Sequence, residues 1–265
     1  MKTKFLISLF FIFINFEASS NETINIDLKF YSLNDVVMKR KNLEMKSWIA
    51  EDDIKKIVEC VNNIYESNFK KYKVYPIIQF NYISLTKLNV LSTPGNKDIK
   101  KKINFIVKST RNDGEVKKKK LKKYIQSFFG QKIIKSNDRM KNINIYFVPF
   151  YGNTRQGFAY YSKSSPYKKD VFLSEWTNKD NLGQQPHKRN LLPKKYVTGL
   201  GYFNSLCKTL GHEIGHVLNL THHKKPKQIN ILANPNKYLM VGSWGTEMKK
   251  KEVERSLKVA KKILK

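Results

Sequence analysis

Apolar and polar positions alternate near the start of the chain: Ile24, Ile26, Leu28 and Phe30 are separated by polar residues, the period-two pattern of a half-buried strand. The period then changes. Glu51-Asp52-Asp53 places acids where a helix dipole favours them, and Ile54, Ile57, Val58, Val61 and Ile64 recur at helical spacing, so a helix opens at residue 51. Tyr75–Leu85 returns to strand, with Pro76 near its start, where a missing N–H is tolerated. Residues 92–96 are a turn or loop. Ile103–Val107 predicts a short strand ending at Asn112-Asp113-Gly114. Leu121, Tyr124, Ile125, Phe128 and Phe129 predict a basic amphipathic helix stopped by Gly130. Asn142–Phe150 is a strand, Gly157–Tyr161 and Asp170–Ser174 are shorter ones, and residues 177–200, polar with Pro186 and Pro193, read as a long loop. Val253, Leu257, Ala260 and Leu264 mark a C-terminal amphipathic helix.

One further helix carries the chemistry. Leu206, Cys207, Leu210, Ile214, Val217 and Leu218 form a single apolar stripe, and the two histidines of His212-Glu213-x-x-His216 fall on the other side. Residues four apart share a helix face, so His212 and His216 offer two imidazoles to one ion, and Glu213 reaches a water on that ion. The stripe is expected to hold the helix to the core while the imidazoles face a cleft or water. His222 follows six residues after His216. The chain has 5 histidines, and His212, His216, His222 and His223 all fall in this window. A solvated pair on an exposed helix gives no reason for that concentration.

Composition adds an address and a charge. Residues 1–20 have a secretory layout, with Lys2 and Lys4, an apolar run from Phe5 to Phe16, and the small residues Ala18-Ser19-Ser20. The run is shorter than the roughly 20 residues of a spanning helix, so the expectation is a signal peptide and a secreted, extracellular or periplasmic, protein. Residues 21–265 read as one domain with no repeat or flexible linker, and a short latency segment has room within 21–45. Cys60 and Cys207 are too few for a disulfide scaffold and are either a pair or two buried thiols. The balance of 51 Lys+Arg against 21 Asp+Glu gives +30. Such a charge suits polyanions or anionic membranes, yet the lysines are dispersed, with no recognition-helix or aromatic-interleaved RNA motif.

His212, Glu213, His216, Asn219 and His222 resemble the metzincin zinc-peptidase pattern HExxHxxGxxH. The family's glycine lets the chain leave the helix in a left-handed conformation and brings the third histidine to the metal. Asn219 stands there instead, and asparagine is the residue that best replaces glycine in that conformation. Tyr238-Leu239-Met240-Val241-Gly242 looks like the Met-turn, and Thr246–Leu264 fits the helix that follows it. Some branches place a tyrosine two positions beyond the methionine; here that position is Gly242, so the role is not carried over. The strand INIYFVPF, the edge GFAYY and the run HEIGHVLNLTHH are most similar to the pappalysin-like branch, over roughly residues 140–250.

The resemblance implies an α/β (α+β) zincin catalytic domain. It would have a twisted, mostly parallel sheet, an active-site helix, a Met-turn and a C-terminal helix. The upper subdomain would be 21–218 and the lower 219–265, and the strand at Gly157–Tyr161 would bind an extended peptide by strand addition. It implies one catalytic Zn²⁺ on His212, His216 and His222, with Glu213 as general base in peptide-bond hydrolysis. His223 is a second candidate for the third ligand; the spacing favours His222. Two other readings stand beside this one: a gluzincin-type site with Glu247, Glu252 or Glu254 as third ligand, and a cationic binding protein whose zinc is structural. A structural site has no use for Glu213.

The expected partner is a protein or peptide substrate of a monomeric enzyme, with no specific nucleic acid and only weak association with polyanions or anionic membranes. Heparin and anionic vesicles should therefore release the protein well before about 0.15 M salt, as dispersed lysines do. A saturable interaction that persists there contradicts the dispersed-charge reading.

Overall fold

A computed structural model describes residues 22–40, 43–89, 142–148, 157–159, 170–177, 187–192, 205–222, 238–240 and 246–264. The leader at 1–20, the turn at 92–96, the strand at 103–107 and the basic helix at 121–129 lie outside the described residues. So do residues 149–150 and 160–161 of two expected strands.

Strand β1 (Thr23–Leu33), which lies inside the stretch considered for latency, pairs in parallel on both sides. Its neighbours are β4 (Ile77–Leu88) and β5 (Asn142–Val148). β7 (Asp170–Ser174) adds in parallel to β5, and β6 (Gly157–Ala159) closes the edge antiparallel to β7. The order β4-β1-β5-β7-β6 makes a mixed α/β fold with a mostly parallel sheet. Because the register aligns Phe30 with Ile145 and Ile145 with Val171, the apolar sets of three strands fall on one face.

That face is covered by α1 (Glu51–Tyr72), packed on β4, and α2 (Leu206–Val217), packed on β6 and β7. The expected apolar positions of α1 are all buried, its first turn is acidic, and Asp53 accepts a hydrogen bond from the Ala50 N–H at 3.1 Å. Asn62, buried mid-helix, exchanges two hydrogen bonds with the backbone of Phe80 on β4, at 2.9 and 2.8 Å. Each fully buried Leu, Ile or Phe of this core contributes roughly 1.5–3 kcal/mol.

α1 and α2 are joined more firmly than packing requires. Cys60 and Cys207 form a disulfide, with Cα atoms 6.0 Å apart and 147 residues between them in sequence. The buried Tyr65 hydroxyl donates to the Gly211 carbonyl at 3.1 Å.

Two short antiparallel pairs depart from the sequence reading. β2 (Met38–Arg40) pairs with β3 (Leu43–Met45), where no element was expected. β8 (Trp176–Thr177) pairs with β9 (His187–Lys188) inside the expected loop 177–200. Pairs of two or three residues are too short to leave a periodic signal. Glu175, between β7 and β8, is fully buried and accepts from the Ser47 hydroxyl and the Trp48 N–H at 2.7 Å and the Ile49 N–H at 3.2 Å. Burial pushes its carboxyl up while those donors pull it down. This clasp fixes the approach to α1 against the far end of β7.

The last helix, α3 (Lys250–Ile263), starts later than the expected Thr246. Residues 246–248 are extended because Asn68 of α1 captures them: its amide donates to the Thr246 carbonyl at 2.8 Å and accepts from the Met248 N–H at 2.7 Å. Among the described residues no helix is long and apolar enough to cross a membrane.

Replacing both Cys60 and Cys207 by serine should lower unfolding free energy by roughly 2–5 kcal/mol, since the closed loop is long. Urea denaturation of oxidised wild type beside the variant measures it. An unchanged midpoint would mean the cross-link adds nothing to the packing.

Candidate metal centre

α2 begins at Ser205, whose hydroxyl accepts from the Lys208 N–H at 3.2 Å. Its apolar stripe is buried as the pattern predicts. The opposite side is not open. His212 is 3 % exposed, Glu213 5 % and His216 7 %, so the two imidazoles expected to face a cleft or water are largely enclosed. The cover comes from segments distant in sequence. Strand β6 lies over Thr209 and Glu213: a Cβ added to Gly157 would sit 2.8 Å from Thr209 Cγ2 and 3.1 Å from Glu213 Cγ. On another side, Leu239 and Met240 come up under Gly211 and Gly215, and a Cβ on Gly215 would meet Met240 Sδ at 2.7 Å.

The helix exit fixes the third imidazole. Asn219 is left-handed, φ 64°. Its N–H bonds to the His216 carbonyl at 3.0 Å, and the Leu220 N–H to the Gly215 carbonyl at 2.8 Å, the paired bonds of a Schellman ending. Leu220 is thereby turned so that its own carbonyl accepts from His216 Nδ1 at 2.8 Å. His212 Nδ1 makes the matching bond to the Leu239 carbonyl at 2.7 Å. The chain then returns His222 to the helix, with Nε2 2.9 Å from His212 Nε2 and 3.1 Å from His216 Nε2. His222 is exposed, so the cluster meets solvent there.

A carbonyl only accepts, so Nδ1 carries the proton in His212 and His216, and each Nε2 presents a lone pair. Two lone pairs thus converge on His222 Nε2, which has at most one proton to offer. Burial pushes His212 down to about 3, against the pull of the Leu239 carbonyl, with His216 and His222 lowering it further. Burial lowers His216 as well. Both rings are therefore neutral at neutral pH. The donor set is one that a cation satisfies and a proton does not.

Other groups around the helix were not legible in the sequence. Arg189 is buried, donating to the Ser174 and Ser205 carbonyls at 3.0 Å and to the Thr209 hydroxyl. The one available signal is compositional: 6 arginines among 51 basic residues make arginine the unusual choice in this chain. Lys208 is also buried, which pushes its amine down to about 8.

The alternative third ligands lie elsewhere. Glu247 pairs with Lys71 at 3.0 Å, Glu252 accepts the Lys249 N–H at 2.8 Å, and Glu254 is exposed on α3. Among the described residues, His212, His216 and His222 form the group of three or more that could hold a metal ion. His223 and Gly242 lie outside the described residues.

No protein-family model matches the chain, and no curated protein matches it in sequence. Among solved structures it is similar to metalloproteinase-II from Bacteroides fragilis, with a TM-score of 0.43 and 12% identity, over 89% of this chain and 53% of that one. The chain thus spans about half the length of that protein. The functional reading rests on the side-chain geometry.

Gly157→Ala tests the cover over Glu213. The new methyl meets three side chains at once, the third being Leu173 Cδ2 at 3.0 Å. It should cost about 1–3 kcal/mol of stability, read as a lower urea midpoint. A neutral substitution would mean that β6 does not press on the helix.

Proposed function

We propose that the protein is a secreted zinc-dependent endopeptidase of the metzincin type, similar to the pappalysin-like branch, with residues 1–20 as its signal peptide. The observation that carries the reading is the convergence of three imidazole Nε2 atoms whose Nδ1 partners, in two of the three, are backbone carbonyls. Glu213 beside them supports catalysis over a purely structural ion.

His212, His216 and His222 would hold the ion through Nε2, as neutral donors that leave its charge intact. Bound there, zinc would supply Lewis-acid polarisation of the scissile carbonyl and acidify water. Every other part belongs to the chain. The carbonyls of Leu239 and Leu220 keep Nδ1–H in place and so keep Nε2 bare. Glu213 takes the proton of the attacking water on a carboxylate oxygen and returns it to the leaving amine nitrogen as the C–N bond breaks. Met240 packs beneath the helix backbone at Gly215, where the resemblance places the Met-turn. The strand at Gly157 borders Glu213, where an extended peptide could add to the sheet edge.

The test joins metal content to cleavage. Wild type should carry about one zinc per chain, and His212→Ala or His216→Ala should lose it. Glu213→Gln should keep zinc and fold while peptide turnover falls by at least about 10²-fold. Stoichiometric zinc in both histidine variants removes the ligand set. Equal turnover by zinc-loaded Glu213→Gln removes the base.

A further inference from the structure

Arg189 sits where a cation is costly. It is 2 % exposed, and leaving water costs a guanidinium several kcal/mol unless partners compensate. Its side chain ties together the end of β7 through the Ser174 carbonyl, the cap of α2 through the Ser205 carbonyl, and the first turn of α2 through the Thr209 hydroxyl. Its backbone N–H is held by the Glu175 carbonyl at 3.0 Å, so the residue is fixed at both ends. Thr209 in turn donates to the Ser205 carbonyl at 3.0 Å. Glu213 is one helical turn beyond Thr209, on the same face, and both lie against Gly157.

The electrostatics agree with this placement. Burial pushes the Arg189 guanidinium down to about 9, and the Glu213 carboxylate is the group that pulls it back up. The guanidinium therefore stays charged at neutral pH, and the Glu213 side chain near it is itself 5 % exposed.

We infer that Arg189 is a positioning residue for Glu213, acting by fixing Thr209 and the first turn of α2, one helical turn before Glu213 on the same face. Its catalytic consequence rests on the endopeptidase reading; the coupling between the two side chains does not. A planar fork serves three acceptors in fixed directions and keeps its charge in a dry setting better than a lysine ammonium does.

The experiment is a double-mutant cycle on the full chain. Arg189→Met, Glu213→Gln and the double variant are followed by thermal unfolding, with kcat and KM measured on a cleavable peptide. The Tm losses of the two single variants should together exceed that of the double variant by at least about 3 °C. Kcat in Arg189→Met should fall at least about tenfold with KM within about twofold, and Arg189→Lys should recover part of it. Additive Tm losses overturn the proposal whatever the kinetics. If Arg189→Met does not fold, the same cycle is run with Thr209→Val, which removes one hydroxyl at constant shape, and additivity there overturns it equally. Coupled Tm losses in a protein that cuts no peptide leave the Arg189–Glu213 pair standing and remove the endopeptidase reading instead.

Discussion

The carbonyl oxygens of Leu239 and Leu220 accept from Nδ1 of His212 and His216, and the character of the candidate metal centre follows from those two hydrogen bonds. They fix which nitrogen bears the proton, and hence which bears the lone pair. Each depends on structure further out. Leu220 is presented by the left-handed Asn219 at the end of α2. Leu239 is held by its N–H to the Glu247 carbonyl at 2.7 Å, in a segment that Asn68 of α1 captures at residues 246 and 248. α1 therefore reaches the centre three ways, through that capture, through Cys60–Cys207 and through Tyr65–Gly211.

Burial gives these contacts their force. An imidazole in water exchanges tautomers freely; one 3 % exposed with a carbonyl on Nδ1 is held in one. The same low polarity raises the cost of any charge nearby. A guanidinium such as that of Arg189 is tolerated there because three acceptors, the Ser174 and Ser205 carbonyls and the Thr209 hydroxyl, surround it.

Much of this was legible in the sequence because it is local. The alternation from Ile24 to Phe30 gave β1, the acids at 51–53 and the apolar spacing behind them gave α1, and four histidines in one window gave the centre. Asparagine at 219 is a local preference too, and the observed φ of 64° follows it. What was not legible is contact at long range. An apolar stripe states which side of α2 is buried in the core; it is silent about a strand from residue 157 and a turn from residue 240 covering the polar side. Arg189 lay in a polar run that read as loop, since a buried cation has no sequence pattern apart from its partners. The two cysteines could be paired only once their helices were seen to lie side by side.

The central claim is that three imidazole Nε2 atoms hold one zinc with a position left open. X-ray absorption at the zinc edge of the zinc-loaded chain tests it most directly. The account predicts three nitrogen scatterers at about 2.0–2.1 Å, with the outer-shell pattern of imidazole rings, and one light oxygen scatterer. A closed shell of four protein ligands, or fewer than three imidazoles with a second carboxylate-type oxygen, would contradict it.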